Sequence, residues 1–171
     1  MRTLGRGMIR SITSDDAVQI CDIYNHYVLH TAVTFEEEAV TTEEMVRRIE
    51  EILPKLPWLV WEEAGRLLGY CYAKPWRPRS AYPYSVETTV YVRLDSAGRG
   101  IGSALYRELI AELRDRSLHA AIGGILVPND ASVALHEKLG FRKVAHFREV
   151  GWKFGEWRDV GYWELILADS E

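Results

Sequence analysis

The chain predicts a mixed α/β fold on a mainly antiparallel sheet of about seven strands flanked by helices. Three stretches carry that prediction. Trp58-Leu59-Val60-Trp61 and Leu67–Ala73 flank Ala64-Gly65-Arg66 as the arms of a hairpin would. Glu87–Phe141 reads as a strand, a glycine turn, a helix, a second strand and a short helix. Phe141–Val150 and Asp159–Leu167 then read as a terminal antiparallel pair. At 171 residues the chain suits one domain with a single sizeable core.

The elements follow in order. Ile9-Arg10-Ser11-Ile12 reads as a first strand, and Ser14-Asp15-Asp16 caps a helix with the apolar face Ile20, Ile23, Tyr24, Tyr27 and Val28. Thr41 and Glu44 form a capping box for a second helix carrying Met45, Val46, Ile49 and Ile52, ending near Pro54. Between these helices, Thr31–Ala39 is an irregular stretch able to overhang a pocket. After the hairpin comes Lys74–Pro83, a Pro- and Arg-rich excursion, and then the long strand Tyr84–Leu94. The glycine-opened helix packs through Ile101, Leu105, Leu109 and Leu113. Ala120–Val127 is a buried strand, and the short helix opened by Asn129 stops at Gly140, a residue suited to a left-handed C-cap. Gly151–Arg158 is read as a late loop with Trp152, Phe154 and Trp157. Met1–Gly7 is expected to be a loose extension ahead of a single domain over residues 8–171, with Met8 a candidate start of translation.

Composition narrows the function classes. Hydrophobic content of 47% and charged content of 27% are those of a soluble globular protein. A net charge of −4 without a basic block argues against a general nucleic-acid partner. No apolar run approaches a membrane span, and no apolar signal core opens the chain. Cys21 on a helical pattern and Cys71 in an apolar strand fit reduced core thiols, which makes the cytoplasm the expected compartment.

The chemistry concentrates after Val90-Tyr91-Val92, in Gly98-Arg99-Gly100-Ile101-Gly102-Ser103. Glycines on alternating positions place backbone N–H groups at the start of a helix, where the dipole favours a pyrophosphate. No Lys-Ser/Thr follows the last glycine, as a nucleotide P-loop requires, and the early βαβ setting of a dinucleotide fold is missing. Taken alone, the glycines suit a plain flexible turn better than a binding site. They are accompanied by Val127-Pro128-Asn129-Asp130-Ala131-Ser132 and by His136-Glu137-Lys138-Leu139-Gly140-Phe141. Together these resemble the acetyl-CoA-binding core of the GNAT acetyltransferases, closest to the phosphinothricin and methionine sulfoximine N-acetyltransferase branch. Tyr24-Asn25, Thr34-Phe35-Glu36, Pro75-Trp76-Arg77 and Val160-Gly161-Tyr162-Trp163 extend the resemblance from Ile9 to Leu167.

That resemblance implies acetyl-CoA as co-substrate, no metal, a small-molecule amine as acceptor, and a homodimer. It implies that Gly98, Arg99, Gly100, Ile101, Gly102 and Ser103 hold the pyrophosphate end, with Asn129 and Ser132 beside the CoA arm. The backbone of Thr89, Val90, Tyr91 and Val92 is expected to hold the thioester carbonyl and the pantetheine arm. One departure stands out: Ala97 occupies a position where the superfamily usually has Gln or Arg, and Arg99 is expected to compensate in part. Acetyl transfer needs a base for the amine, donors for the oxyanion and a proton for the thiolate. Glu87, an acidic group in an apolar and hydroxylated strand, is the candidate base; a solvent-facing strand-edge glutamate is the alternative. His136 matches the branch's histidine near the CoA sulfur and is expected to protonate the thiolate, against the alternative of a buried, hydrogen-bonded helix histidine. Lys74, Arg77 and Arg79 beside Trp76 suit carboxylate or phosphinate recognition, with Phe35 and Trp76 as an apolar wall and Tyr84 as a donor. The expected activity is acetylation of the α-amine of a small anionic amino acid or analogue. Two rivals are a protein lysine or N-terminal acetyltransferase, which Glu36-Glu37-Glu38 would serve, and a non-catalytic acyl-CoA sensor.

Overall fold

The computed structural model describes residues 7–168. The expected extension Met1–Gly7 lies outside the described residues apart from Gly7, which packs against the Trp61 indole. Seven strands form one sheet in the order β1-β2-β3-β4-β5-β7-β6. They are β1 (Met8–Ser11), β2 (Trp58–Glu63), β3 (Arg66–Pro75), β4 (Ser85–Val92), β5 (Ala120–Val127), β6 (Arg142–Lys153) and β7 (Glu156–Ile166). Helices α1 (Ala17–His30) and α2 (Thr42–Ile52) cover one face, and α3 (Ile101–Asp115) and α4 (Asp130–Lys138) the other. Every neighbouring pair is antiparallel except β4 with β5.

Strand periodicity divides the core. Trp58 and Val60 of β2 pack with Ile20, Ile23 and Val28 of α1 and Ile49 of α2. Leu59 and Trp61 turn the other way, into the cluster built on Ile101, Leu105, Leu109 and Leu113 of α3. With both faces covered, β2 is a continuous apolar run rather than an alternating one.

Local chemistry sets the boundaries. At α2 the Thr41 hydroxyl accepts the Glu44 N–H at 3.2 Å, but the Glu44 carboxylate turns to Arg47 and Arg48. Half of the expected capping box therefore forms, because two guanidinium groups outcompete one backbone N–H. A complete reciprocal box lies earlier, between Thr13 and Asp16, whose carboxylate also takes two Arg10 N–H groups at 2.8 and 2.9 Å. The two hairpin turns use consecutive positive-φ residues, Ala64-Gly65 at 48° and 79° and Phe154-Gly155 at 56° and 71°. Such pairs match the twist of antiparallel arms.

Two boundaries correct the sequence reading. Gly151–Arg158 is not a loop: Gly151 pairs with Arg158, Trp152 with Trp157 and Lys153 with Glu156, so the aromatic residues sit on the tip of the β6–β7 hairpin. Lys74 does not open an excursion. It lies in β3, directly opposite Glu87 of β4. Pro75 can end β3 because it extends past the start of β2, where its missing N–H costs no ladder bond.

One buried cation ties the hairpin to the rest of the fold. Lys153 is 1% exposed, and its ammonium donates to the carbonyls of Val28, Thr34 and Glu36 at 2.7, 2.8 and 2.8 Å. Burial pushes its pKa down, with Glu37 and Glu36 opposing that shift. The segment between α1 and α2 is held on its other side by Asn25, whose side chain bonds both the N–H and the carbonyl of Val40. Glu36 adds a bidentate pair with Arg48 at 2.6 and 3.0 Å and accepts the Tyr24 hydroxyl. Lys153→Met keeps the length of the stem and leaves three carbonyls without a donor. It is expected to destabilise the fold by about 3 kcal/mol, read as a lowered denaturant midpoint at unchanged slope. A loss below about 0.5 kcal/mol would show that the tether is dispensable.

Candidate active site

The β4–β5 ladder holds three registered pairs and stops at Glu87 opposite Ile122. Beyond that pair the two strands run on, to Val92 and Val127, without pairing each other. The parting leaves a groove of about 740 Å³ that reaches both faces of the sheet. Each half of the groove inherits the side chains of its face.

On the α3 and α4 side the groove is lined by Val90, Val92, Ser96, Ala97, Gly98, Gly100, Ile101, Gly102 and Ser103, and across from them by Asn129, Ala131, Ser132 and Leu135. Gly98 and Gly100 have φ of 75° and 83°, a conformation that disfavours side chains, and Gly100 caps α3. The exposed N–H groups of the first α3 turn face this end of the groove. Asn129 caps α4 by accepting the Ser132 N–H at 3.2 Å. The unpaired edge of β4 from Thr88 to Val92 offers backbone groups to an extended ligand, as a sheet edge does to a peptide. A left-handed glycine turn, a helix start and an open strand edge fit the pyrophosphate and amide arm of CoA.

The α1 and α2 side is lined by Tyr24, Tyr27, Val33, Thr34, Tyr72, Lys74, Glu87, Thr89 and Tyr91. Glu87 faces this half, and its Oε1 lies 3.1 Å from the Lys74 ammonium. Burial of Lys74 works against its charge, and Glu87 and Tyr72 outweigh that effect, so its pKa lies above the ordinary value. Tyr24 and Tyr91 pack edge to face with centroids 5.3 Å apart, and Tyr27 and Tyr91 are 5.0 Å apart. Burial pushes the hydroxyls of Tyr24, Tyr72 and Tyr91 above the usual tyrosine range.

A second cavity of about 410 Å³ adjoins through Val33, Gly124 and Leu126, and is walled by Phe35, Arg77, Phe147, Val150, Val160 and Tyr162. The Arg77 guanidinium lies over the Trp76 ring at 4.4 Å, and Trp76 meets Tyr162 edge to face. Phe35 also packs on Gly151 of the hairpin, where a Cβ would come within 2.3 Å of its ring. Trp76 backs Arg77 and Tyr162 and is not in the lining, so Phe35 and Trp76 do not form one wall.

Three other sequence expectations change. Arg99 turns away from the groove: its guanidinium pairs with Glu63 at 2.7 and 2.9 Å, so it does not replace the donor missing at Ala97. Tyr84 is 63% exposed and lies ahead of β4, outside the groove, with only its carbonyl engaged. His136 is 4% exposed and lies behind the groove wall, against Gly123, whose Cβ would come within 2.5 Å of Nε2. Its Nδ1–H donates to the Ser132 carbonyl at 2.7 Å. The Tyr106 hydroxyl bridges Nε2 and the Thr88 hydroxyl, 3.1 Å from each. Burial lowers the His136 pKa and favours the neutral ring. The imidazole thus has no open path to a thiol in the groove. It supports Thr88, which does line the groove.

The sequence reading gave no site role to Tyr72, Thr34 or Lys153. Tyr72 was visible as a polar-tipped aromatic alternating with Tyr70 along β3, Thr34 stood in the Thr34-Phe35-Glu36 stretch of the resemblance, and Lys153 carries no local signal.

These features accompany clear likenesses. The acetyltransferase (GNAT) domain family matches residues 9–161. A phosphinothricin N-acetyltransferase of Streptomyces viridochromogenes is 40% identical over 91% of this chain and 85% of its own length. The L-methionine sulfoximine/L-methionine sulfone acetyltransferase of Salmonella typhimurium is 39% identical over 94% of this chain and 95% of its own. Among solved structures, a GNAT superfamily phosphinothricin acetyltransferase from Sinorhizobium meliloti in complex with AcCoA superposes with a TM-score of 0.90. It is 31% identical, over 94% of this chain and 88% of that one. Sequence motifs, sheet topology and groove agree with these likenesses, and the chain belongs to the GNAT acetyltransferase family.

Proposed function

We propose that this acetyltransferase uses acetyl-CoA to acetylate the α-amine of small anionic amino acids or analogues of the methionine sulfoximine, methionine sulfone and phosphinothricin type, by direct attack in a ternary complex. The observation that carries the reading is Glu87 at the last pair of the β4–β5 ladder, with Lys74 across from it and Arg77 in the adjoining cavity. A base thus stands between the CoA half of the groove and two cations suited to a carboxylate or phosphinate.

Bound acetyl-CoA supplies an activated thioester. The protein's part is placement and proton movement. N–H groups of the glycine turn and the first α3 turn hold the pyrophosphate, and the open β4 edge aligns the arm. Glu87 takes the amine proton, directly or through a water. As the amide bond forms, the C–S bond breaks and CoA leaves as a thiolate that is protonated from solvent. Cys21 and Cys71 are both buried, and neither lines the groove, which supports direct attack over an acyl-cysteine route. Glu36, the acidic residue that favoured a protein substrate, is already committed to Arg48 and Tyr24. The homodimer implied by the resemblance is retained in this reading. Phe147, Val150, Trp152, Phe154 and Trp157 are each 50–60% exposed on one hairpin, a large apolar surface for a second copy to cover.

Thiol release from acetyl-CoA with a panel of amines tests the proposal. Turnover is expected with sulfoximine-like and phosphinothricin-like acceptors, and turnover confined to a lysine peptide would overturn it. Glu87→Gln is expected to lower kcat by about 100-fold or more with acetyl-CoA binding little changed, and wild-type turnover would remove Glu87 as base. Arg77→Ala should raise KM for anionic acceptors about tenfold, equivalent to about 1.4 kcal/mol. The same rise with uncharged amines would rule out anion recognition by Arg77. Tyr106→Phe cuts the link between His136 and Thr88. We expect kcat to fall about fivefold at constant KM, whereas a change confined to thermal stability would make the link purely structural.

A further inference from the structure

Beneath β3, on the same face as Glu87, lies a third cavity of about 350 Å³ that the acetyl-transfer reading touches only through Lys74. Its size is that of a small-molecule site. The floor is apolar, with Leu56 and Trp58 among its residues, and three cations, Arg48, Lys55 and Lys74, stand in its wall. Arg48 is held by Glu36 and Glu44, and the one acidic wall residue, Glu51, is paired with Arg47. Lys55 has no ion-pair partner among the described residues. The Trp58 indole N–H is the single buried side-chain nitrogen or oxygen atom among the described residues without a hydrogen-bond partner. That nitrogen is sealed from water, so Trp58 lines the cavity through its ring and the indole N–H serves as a reporter.

The cavity is also joined to the active site. Tyr72 and Lys74 line both spaces, and the Lys74 ammonium is the group that pairs with Glu87. We propose that this cavity binds a small carboxylate with an apolar body, and that the bound carboxylate competes with Glu87 for Lys74. Cationic wall and apolar floor match that ligand class, and an uncharged isostere would leave Lys55 unanswered and Lys74 with Glu87. The site goes beyond the proposed acetylation and would exist whatever amine the groove accepts.

The test uses the full chain labelled with nitrogen-15, in the presence of CoA, and follows the Trp58 indole N–H resonance. Titration with 4-methylpentanoate should move that resonance saturably, and 4-methylpentanamide should bind at least tenfold more weakly. Lys55→Gln, remote from the groove, should weaken the carboxylate about tenfold and leave turnover without it unchanged. In wild type the carboxylate should alter kcat for acetyl transfer, and in Lys55→Gln at the same concentration it should not. Phosphinothricin added with CoA separates two sources of the same chemistry. A Lys55-dependent shift at Trp58 identifies the ligand as a second acceptor molecule, and its absence beside a response to 4-methylpentanoate identifies a separate acid. Equal binding of acid and amide, wild-type affinity in Lys55→Gln, or a Trp58 resonance that never moves would overturn the proposal. Failure of acetyl transfer alone would leave the resonance shifts standing, so the two readings fail separately.

Discussion

The end of the β4–β5 ladder governs the rest of the structure. Six inter-strand contacts could have sealed a seven-stranded sheet, yet the one parallel contact is abandoned after Glu87 and Ile122. A sheet that parts in its middle exposes backbone groups where a ligand can use them without losing the core on either flank. It also lets one space reach both faces. The glycines that open α3 belong to the α3 side, the candidate base to the α1 side, and the gap is where they meet. Glu87, at the last registered pair, is fixed by the rigid part of the sheet and faces the open part.

Strand alternation then distributes the roles. Thr88 turns into the α3 face, where Tyr106 and His136 hold it, while Glu87 and Thr89 turn toward α1 and α2. Neighbours in sequence thus serve different chemistries on opposite faces. Glu87 is answered by Lys74 and Thr88 by a buried hydroxyl–imidazole chain. The same geometry explains why Arg99 departs from the site. Between two left-handed glycines its side chain leaves the turn toward β2 and finds Glu63.

Much of this was legible in the residues. The helices followed their apolar spacing, with Leu105, Leu109 and Leu113 of α3 all fully buried. The hairpin at Ala64-Gly65 followed its turn chemistry, and the groove-lining glycines and Asn129 followed their motif. What failed was nonlocal. Phe154-Gly155 closes a hairpin, yet nothing nearby announces that the aromatic residues flanking it lie in strands. Lys74 looked like part of a basic loop because its defining neighbour, Glu87, arrives across a ladder. His136 was placed at the thiol by analogy, and its position is decided by packing on Gly123, contributed by another element. Local pattern specifies which face a side chain takes and stops short of what stands opposite it.

The Lys153 tether has a consequence for the order in which the protein acquires its shape. The ammonium reaches carbonyls 125, 119 and 117 residues earlier in the chain. Contacts of that span carry a high loop-closure cost and are disfavoured early in folding. Helices α1 and α2 can settle on β2 and β3 without them, and Asn25 and Arg48 can hold the segment between them, but its Lys153 contacts form only once the final hairpin has paired. During synthesis, therefore, the glycine turn and Glu87 exist before the mouth above them is tied down by Lys153. A chain stopped short of β7 would keep the residues of the chemistry and lack the enclosure in which they work.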